Sequence, residues 1–173
     1  MKKIPSPDEC IAFLTNAGCS PEVIVHCKAV RDVALRIAKK TDADLNLVEA
    51  GALLHDIGRS KTHGIRHAVE GAIIARKLGL TDDIINIIER HIGAGLTKNE
   101  ARKLGLPAKD FIPESLEEKI VCHADNLIDD GEMQPIEHEV ERALLEGHDE
   151  YARRLVILHK EISDLCGIDV NNI

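Results

Sequence analysis

Two adjacent residues, His55 and Asp56, are the strongest chemical signal in the sequence. They follow an apolar run and precede an isoleucine and a glycine, so a helical fold would enclose both side chains. Imidazoles and carboxylates are costly to bury unless they are paired or bound to a metal. Further residues of these two types lie where a predicted helical apolar stripe ends or is interrupted, namely His26, His67, His91 and Asp125. If the six side chains converge, they form a site for one or two divalent metal ions.

This ligand set indicates which ions and which chemistry to expect. Imidazole and carboxylate together suit Fe, Mn, Co, Ni or Zn, carboxylates also suit Mg, and no thiolate is needed. A divalent ion lowers the pKa of a bound water toward ~7 and so supplies hydroxide at neutral pH. Two ions that share the Asp56 carboxylate would hold a phosphate between them. We therefore expect one or two divalent ions as the cofactor.

Each of these residues also has an ordinary structural explanation when it is taken alone. His26 would be a hydrogen-bonded core histidine, and His67 a polar residue that opens a helix. His91 would be favoured at a helix C-terminus by the helix dipole. Asp125 would be a solvated carboxylate, and His55 a helix C-cap. The joint pattern favours a shared site, because every one of these positions ends or interrupts an apolar stripe.

The elements that must position these residues are predicted to be helices. Aromatic residues make up 2% of the chain, stretches rich in Ala, Leu, Glu and Lys are frequent, and few segments alternate as strands do. Capping boxes begin at Ser6, Thr97 and Ser115, and Gly58 is predicted to stop the third helix. The pattern predicts no β-sheet and helices over about 7–18, 21–40, 44–57, 67–79, 81–91, 97–105, 115–128, 136–146 and 149–165.

Composition and charge restrict the class of protein. The 173 residues are enough for one well-packed domain and few for two, so we expect residues 1–173 to form a single domain. The net charge of −8 argues against a protein that coats long nucleic acid, because such binding needs Lys and Arg to neutralise phosphates. No apolar run of about 18 residues exists for a transmembrane helix, and residues 1–7 do not resemble a signal peptide. The five cysteines are scattered and are expected to be reduced. We therefore expect a cytoplasmic protein with no membrane partner.

The order of the candidate ligands resembles that of a known family. His26, then His55-Asp56, then Asp125 is similar to the His…His-Asp…Asp signature of the HD-superfamily metal-dependent phosphohydrolases. The string His55-Asp56-Ile57-Gly58-Arg59 resembles their His-Asp-Ile-Gly-Lys motif. The resemblance spans roughly residues 24–130. It implies an all-α HD-domain helical bundle with a central metal site, core motifs within 20–130 and C-terminal helices within 136–165.

The resemblance also implies how the ligands divide between two ions. The first ion would be held by His26, His55, Asp56 and Asp125. Asp56 would bridge to a second ion, which would be held by His67 and His91. The string from Glu118 to Asp125, with Glu-Lys and a later Ala-Asp, is similar to the dinuclear diadenosine tetraphosphate hydrolases of the family. Arg59 departs from the family's lysine and changes the donor geometry. The connection from Asp56 to His67 is shorter than in those hydrolases, so their nucleotide specificity is not carried over.

The resemblance, together with the basic loop that follows His55-Asp56-Ile57-Gly58-Arg59, predicts a phosphohydrolase that uses metal-bound hydroxide. The expected substrate is a small phosphorylated metabolite, and a nucleotide is the one that we favour. Asp56 and Arg59 are expected to be catalytic. Arg59, Lys61, His63 and Arg66 are expected to bind the substrate. Two alternatives stay open, an HD-fold di-iron oxygenase with the same ligand set and a non-catalytic HD module that binds metal or nucleotide. The basic loop favours hydrolysis, and the oligomeric state is left open by the sequence.

Overall fold

The computed structural model describes residues 4–173. Residues 1–3 belong to the segment that we expect not to be a signal peptide, and they lie outside the described residues. In the described part, nine α-helices form most of the chain: α1 Pro7–Ala17, α2 Pro21–Ala38, α3 Leu45–Leu54, α4 His67–Lys77, α5 Asp82–Glu89, α6 Lys98–Lys103, α7 Leu116–Asn126, α8 Ile136–Leu145 and α9 Asp149–Cys166. Short 3₁₀ helices cover Ile57–Ser60 and Val170–Asn172. The predicted all-α class is confirmed. Within residues 4–173 no helix is long and apolar enough to cross a bilayer.

The prediction of no β-sheet was wrong, because a small antiparallel hairpin follows α7. Strand β1, Ile128–Asp129, pairs with strand β2, Glu132–Met133. The turn residues Asp130 and Gly131 both have positive φ, 48° and 81°. Asp-Gly is a favoured sequence for two-residue hairpin turns, since both positions take a left-handed backbone. None of the predicted site residues lies in this hairpin.

Of the three predicted capping boxes, those that begin α1 and α6 are complete, and the one that begins α7 is half formed. Ser115 Oγ accepts from the Glu118 N–H as predicted. The Glu118 carboxylate does not return the bond but accepts from Arg90 Nη1 at 3.0 Å. This ion pair ties α7, which carries Asp125, to the residue that precedes His91.

The buried apolar residues form two main clusters that share α2 and α3. One cluster joins these helices to α7, α8 and α9, and the other joins them to α1, α4 and α5. α2 contributes Val30 and Val33 to the first cluster and Val23 and Cys27 to the second. His26 therefore lies on α2 between the two residues of the second cluster, about one turn before the first cluster begins at Val30.

The end of α3 differs from the prediction, and Gly58 has a different role. The α-helix ends at Leu54 rather than near residue 57, and a 3₁₀ helix starts at Ile57. Gly58 lies inside that 3₁₀ helix, and its φ is not positive, so it is not a helix C-cap. A Cβ atom at Gly58 would lie 1.8 Å from the carbonyl oxygen of His67 and 2.5 Å from the Gly71 nitrogen. The missing side chain thus lets α4 pack directly on the turn that carries His55 and Asp56.

We expect Gly58→Ala to lower the free energy of unfolding by about 3 kcal/mol, because its Cβ meets backbone atoms that cannot move without shifting α4. Urea denaturation measures this change. The matched control is Gly64→Ala, whose Cβ would meet no atom closer than 3.6 Å and which we expect to change stability by less than about 1 kcal/mol. Equal stability of the two variants would contradict the close approach of α4.

Candidate metal centre

Separate segments of the chain bring the six predicted ligands together. They are α2, the turn after α3, the first residue of α4, the residues just after α5 and the last turn of α7. In that order the segments carry His26, His55 with Asp56, His67, His91 and Asp125.

One half of the cluster consists of His26, His55 and Asp125. His26 Nε2 lies 3.0 Å and His55 Nε2 lies 3.5 Å from Asp125 Oδ1. Asp56 Oδ2 lies 3.7 Å from each of the two Nε2 atoms. The side chains of His26 and Asp125 are 29% and 22% exposed, whereas His55 is fully buried. Solvent therefore reaches the cluster from the side of His26 and Asp125.

The other half consists of His67 and His91 and is buried. Asp56 Oδ1 lies 3.1 Å from His67 Nε2 and 3.4 Å from His91 Nε2. The two Nε2 atoms are 3.0 Å apart. Asp56 thus directs one carboxylate oxygen toward each half, which is the central position predicted for it.

Backbone carbonyls fix the proton position on three of the four imidazoles. The Nδ1 atoms of His55, His67 and His91 lie 2.7, 2.9 and 2.7 Å from the carbonyl oxygen three residues earlier. Because a carbonyl oxygen can only accept, Nδ1 carries the proton in each ring. A neutral ring then presents the Nε2 lone pair to the cluster. Metal-binding histidines are oriented by outer hydrogen bonds of this kind.

The cluster has the properties that a divalent ion requires. With both Nδ1 atoms protonated, the Nε2 lone pairs of His67 and His91 face each other and repel unless a proton or a cation lies between them. His55 Nε2 and Asp56 Oδ1 are buried and make no hydrogen bond within the part of the chain that the structure describes. Atoms bonded to one ion at about 2.1 Å lie roughly 3–3.5 Å apart, which matches the closest separations here. The residues present therefore fit one or two divalent ions.

The charges within the cluster reinforce one another. Burial disfavours the charged forms of both His55 and Asp56. At both residues, the attraction of neighbouring groups of opposite charge outweighs this effect of burial. The Asp56 and Asp125 carboxylates raise the pKa of His55 well above its ordinary value. The surrounding imidazoles hold the pKa of Asp56 and of Asp125 below the ordinary value. Burial lowers the pKa of His91. Both carboxylates are therefore ionised at neutral pH, as metal ligands must be.

Arg59 lies at the cluster and contacts one of the ligands. Its Nε donates to Asp56 Oδ2 at 2.6 Å, and its Nη1 donates to the His63 carbonyl oxygen at 3.2 Å. Arg59 thus orients the central carboxylate and holds the loop that follows. Lys61, His63 and Arg66 are exposed on this loop, and their contact with a substrate stays a prediction.

The sequence reasoning missed the groups that orient the ligands. The carbonyls that fix the imidazoles have no side-chain signature, although all three share the same three-residue spacing. Asn126 was also missed. Its Nδ2 donates to the Gly93 carbonyl oxygen at 2.6 Å and so ties the end of α7 to the segment after His91. An amide next to the ligand Asp125 was the signal that could have identified it.

Solved structures show the same architecture. The crystal structure of the HD domain of the L. monocytogenes phosphodiesterase PgpH in complex with cyclic-di-AMP superposes with a TM-score of 0.56 at 18% identity, covering 92% of this chain and 96% of that one. A second crystal structure of that HD domain gives a TM-score of 0.53 at 20% identity. At this identity the likeness shows the fold alone.

Curated relatives are much closer in sequence. An uncharacterised protein of Methanocaldococcus jannaschii is 46% identical over 166 residues, which cover 91% of this chain and 97% of that protein. A tRNA (cytidine(56)-2'-O)-methyltransferase of Thermoplasma volcanium is also 46% identical over all 173 residues, and these span about half (51%) of its length. Ribonuclease Y of Cutibacterium acnes is 33% identical over 84 residues, 47% of this chain and 15% of that enzyme. The family model of the HD domain matches residues 23–129, the stretch that contains all six converging side chains. The chain belongs to the HD domain family.

Proposed function

We propose that this protein is a metal-dependent phosphohydrolase that cleaves a phosphoester of a nucleotide, with the six converging side chains as ligands of one or two divalent ions. The observation that carries the proposal is the facing pair of His67 and His91 Nε2 atoms, which repel unless a proton or a cation lies between them, beside Asp56 with one oxygen toward each half. A carboxylate shared between two adjacent ions is typical of phosphatases and nucleases.

The chain's own residues set the geometry for this chemistry. Bound divalent ions would supply Lewis acidity and a water acidic enough to lose its proton near neutral pH. Arg59 Nε holds Asp56 in the orientation that serves both halves. A substrate approaches from the exposed side, at His26 and Asp125. The guanidinium of Arg59 and the cations of the loop that follows bind phosphate oxygens through charge-assisted hydrogen bonds.

A small nucleotide is the substrate class that we favour. The net charge of −8 opposes binding along a nucleic acid strand, and the HD domain of PgpH was crystallised with cyclic-di-AMP, a small nucleotide. A phosphodiester within RNA is the second candidate, because relatives of this chain include enzymes named as ribonuclease Y and tRNA methyltransferases.

The longer relatives are named as tRNA methyltransferases. We assign this methyl transfer to the half of those proteins that our chain does not match. This chain corresponds to about half of those proteins. The M. jannaschii relative is covered over 97% of its length by this unit, so the unit also occurs without a second half of that size. A cluster of imidazoles and carboxylates serves metal chemistry on phosphoesters. We infer that residues 1–173 act as one HD domain.

We expect Asp56→Ala to lose the ions of both halves, because this carboxylate directs one oxygen toward each of them. The wild type, loaded with Mn²⁺ and dialysed, should retain one or two ions per chain by plasma mass spectrometry, and the variant less than about a tenth as much. Mn²⁺ at 100 times its Kd should stabilise the wild type by about 2.7 kcal/mol and leave the variant unchanged. The control is Asp42→Ala at an exposed carboxylate. Full metal content in Asp56→Ala would contradict the shared site.

We expect the Mn²⁺- or Fe²⁺-loaded protein to hydrolyse at least one nucleotide as fast under nitrogen as in air. The panel contains AMP, ADP, 2′,3′-cyclic AMP, cyclic-di-AMP and a tRNA transcript. Reaction in ¹⁸O-water should place the label in the product phosphate. Turnover that needs O₂ would indicate an oxygenase, cleavage of the transcript alone would indicate the RNA candidate, and metal binding without turnover would indicate a non-catalytic module.

We expect Arg59→Lys to lower kcat/KM about 10- to 100-fold, because an ammonium cannot reproduce the Nε contact with Asp56 and the planar donors for phosphate. Steady-state kinetics on the best substrate of the panel, with metal content measured in parallel, test this. Arg153→Lys on the exposed surface of α9 is the matched control. Unchanged kinetics for Arg59→Lys would remove Arg59 from the catalytic residues.

A further inference from the structure

A second feature lies beside the metal centre, a cavity of about 420 Å³ with a largely apolar wall. The loop before α4, the segment after His91, α6 and the start of α9 surround it. Their contributions include Ile65, Ile92, Leu96, Leu104 and Tyr151. The volume is within the range of small-molecule sites, and such sites are mostly apolar with a few polar groups.

The wall of the cavity is continuous with the segments that carry metal ligands. Ile65 precedes His67 by two residues, and Gly93 follows His91 by two. The Gly93 carbonyl oxygen also accepts from Asn126, the neighbour of Asp125. The cavity wall therefore shares backbone segments with His67 and His91, and Asn126 links it to the end of α7 that carries Asp125.

The cavity also adjoins the basic loop. Arg66 Nη1 donates to the Gly105 carbonyl oxygen at 3.2 Å, so this loop cation is fixed beside Leu104 at the rim. Lys103 adds a second cation to the wall. A ligand with an apolar body and an anionic group at one end matches this arrangement of an apolar wall and a cationic rim.

Tyr151 is held in the wall from two directions. Its hydroxyl donates to Glu139 Oε1 at 2.8 Å. Its ring lies so close to Gly93 that a Cβ there would be 2.5 Å from the ring, and Gly93 has a φ of +59° that glycine adopts readily. The aromatic surface is thus fixed before any ligand binds, which lowers the entropy cost of stacking against it.

We propose that this cavity binds the base of the nucleotide whose phosphate is placed at the metal centre, an inference that rests on the proposed function. The flat apolar faces of a nucleobase would pack against the aliphatic wall and Tyr151. Its polar edge would form hydrogen bonds with Arg154 and Glu100, which form an ion pair in the same wall. The phosphate then extends toward the cations of the rim and the metal ligands.

The test uses nucleosides, which carry the base and no phosphate, so it requires neither metal nor hydrolysis. Tyr151 is the single tyrosine of a chain without tryptophan, so the proton NMR signals of its ring report directly on the cavity. Adenosine, guanosine, cytidine and uridine are titrated into the full chain, guanosine up to its solubility, and binding is followed by these signals and by calorimetry. We expect at least one nucleoside to bind saturably with a Kd of about 0.1–1 mM.

The matched variants place a charge inside or outside the cavity. Leu104→Asp puts a carboxylate in the wall at a residue that is already 47% exposed, so the fold is retained, and should weaken binding at least about tenfold. Leu145→Asp, at a leucine that is 90% exposed on α8, should leave binding unchanged.

The outcomes separate this inference from the proposed function. Absence of saturable binding by all four nucleosides up to about 10 mM, or equal binding by Leu104→Asp, overturns the base site even when the protein hydrolyses nucleotides. Nucleoside binding that Leu104→Asp weakens, in a protein that hydrolyses none of the panel, supports the base site and overturns the hydrolase instead.

Discussion

The facing imidazoles of His67 and His91 set the constraint on which the rest of the centre depends. In both rings Nδ1 donates a hydrogen bond to a backbone carbonyl oxygen. The Nε2 atoms, which lie 3.0 Å apart, therefore have no proton between them when the rings are neutral. Asp56 Oδ1 is buried beside them without a hydrogen bond from the described residues. Such an arrangement costs stability unless a proton or a cation lies between the rings, and it gains stability when a cation binds. Local rules of stable folding are broken in this way mainly at functional sites.

The absence of side chains at three glycines lets the segments that carry the ligands approach closely. A Cβ at Gly51 on α3 would lie 2.6 Å from Ile87 of α5, and a Cβ at Gly71 on α4 would lie 2.7 Å from Ile88. Gly58 allows the same close approach between the turn after α3 and the start of α4. Larger residues at these positions would separate α3, α4 and α5, and their imidazoles would no longer meet around one carboxylate. Close packing at these glycines therefore helps to position the six side chains of the centre.

The sequence predicted the helices and the convergence of the six candidate ligands because both depend on residue type and spacing, which are visible along the chain. Capping residues and apolar periods located the starts of all nine helices in the described residues to within one residue, and each of the six candidate ligands was at the end or on the face of such a helix. The end of α3 and the role of Gly58 were not predictable, because a close approach depends on which helix packs there. The contact of Arg59 with Asp56 was missed for a related reason. A guanidinium suits a carboxylate and a phosphate equally, and only the folded geometry distinguishes them.

The formal charges at the centre would let this acidic protein attract the anionic substrate that we propose. The net charge of the chain is −8. When the four imidazoles are neutral, the two carboxylates give the set of six candidate ligands a net charge of −2. Arg59, bonded to Asp56, brings this local sum to −1, so one divalent ion makes it +1 and two ions make it +3. Because salt screens exposed charges beyond about 8 Å, the local sum outweighs the distant surface carboxylates. Under the proposed function, the attraction of a phosphoester therefore depends on how many ions are bound, which would couple metal occupancy to substrate affinity through Asp56.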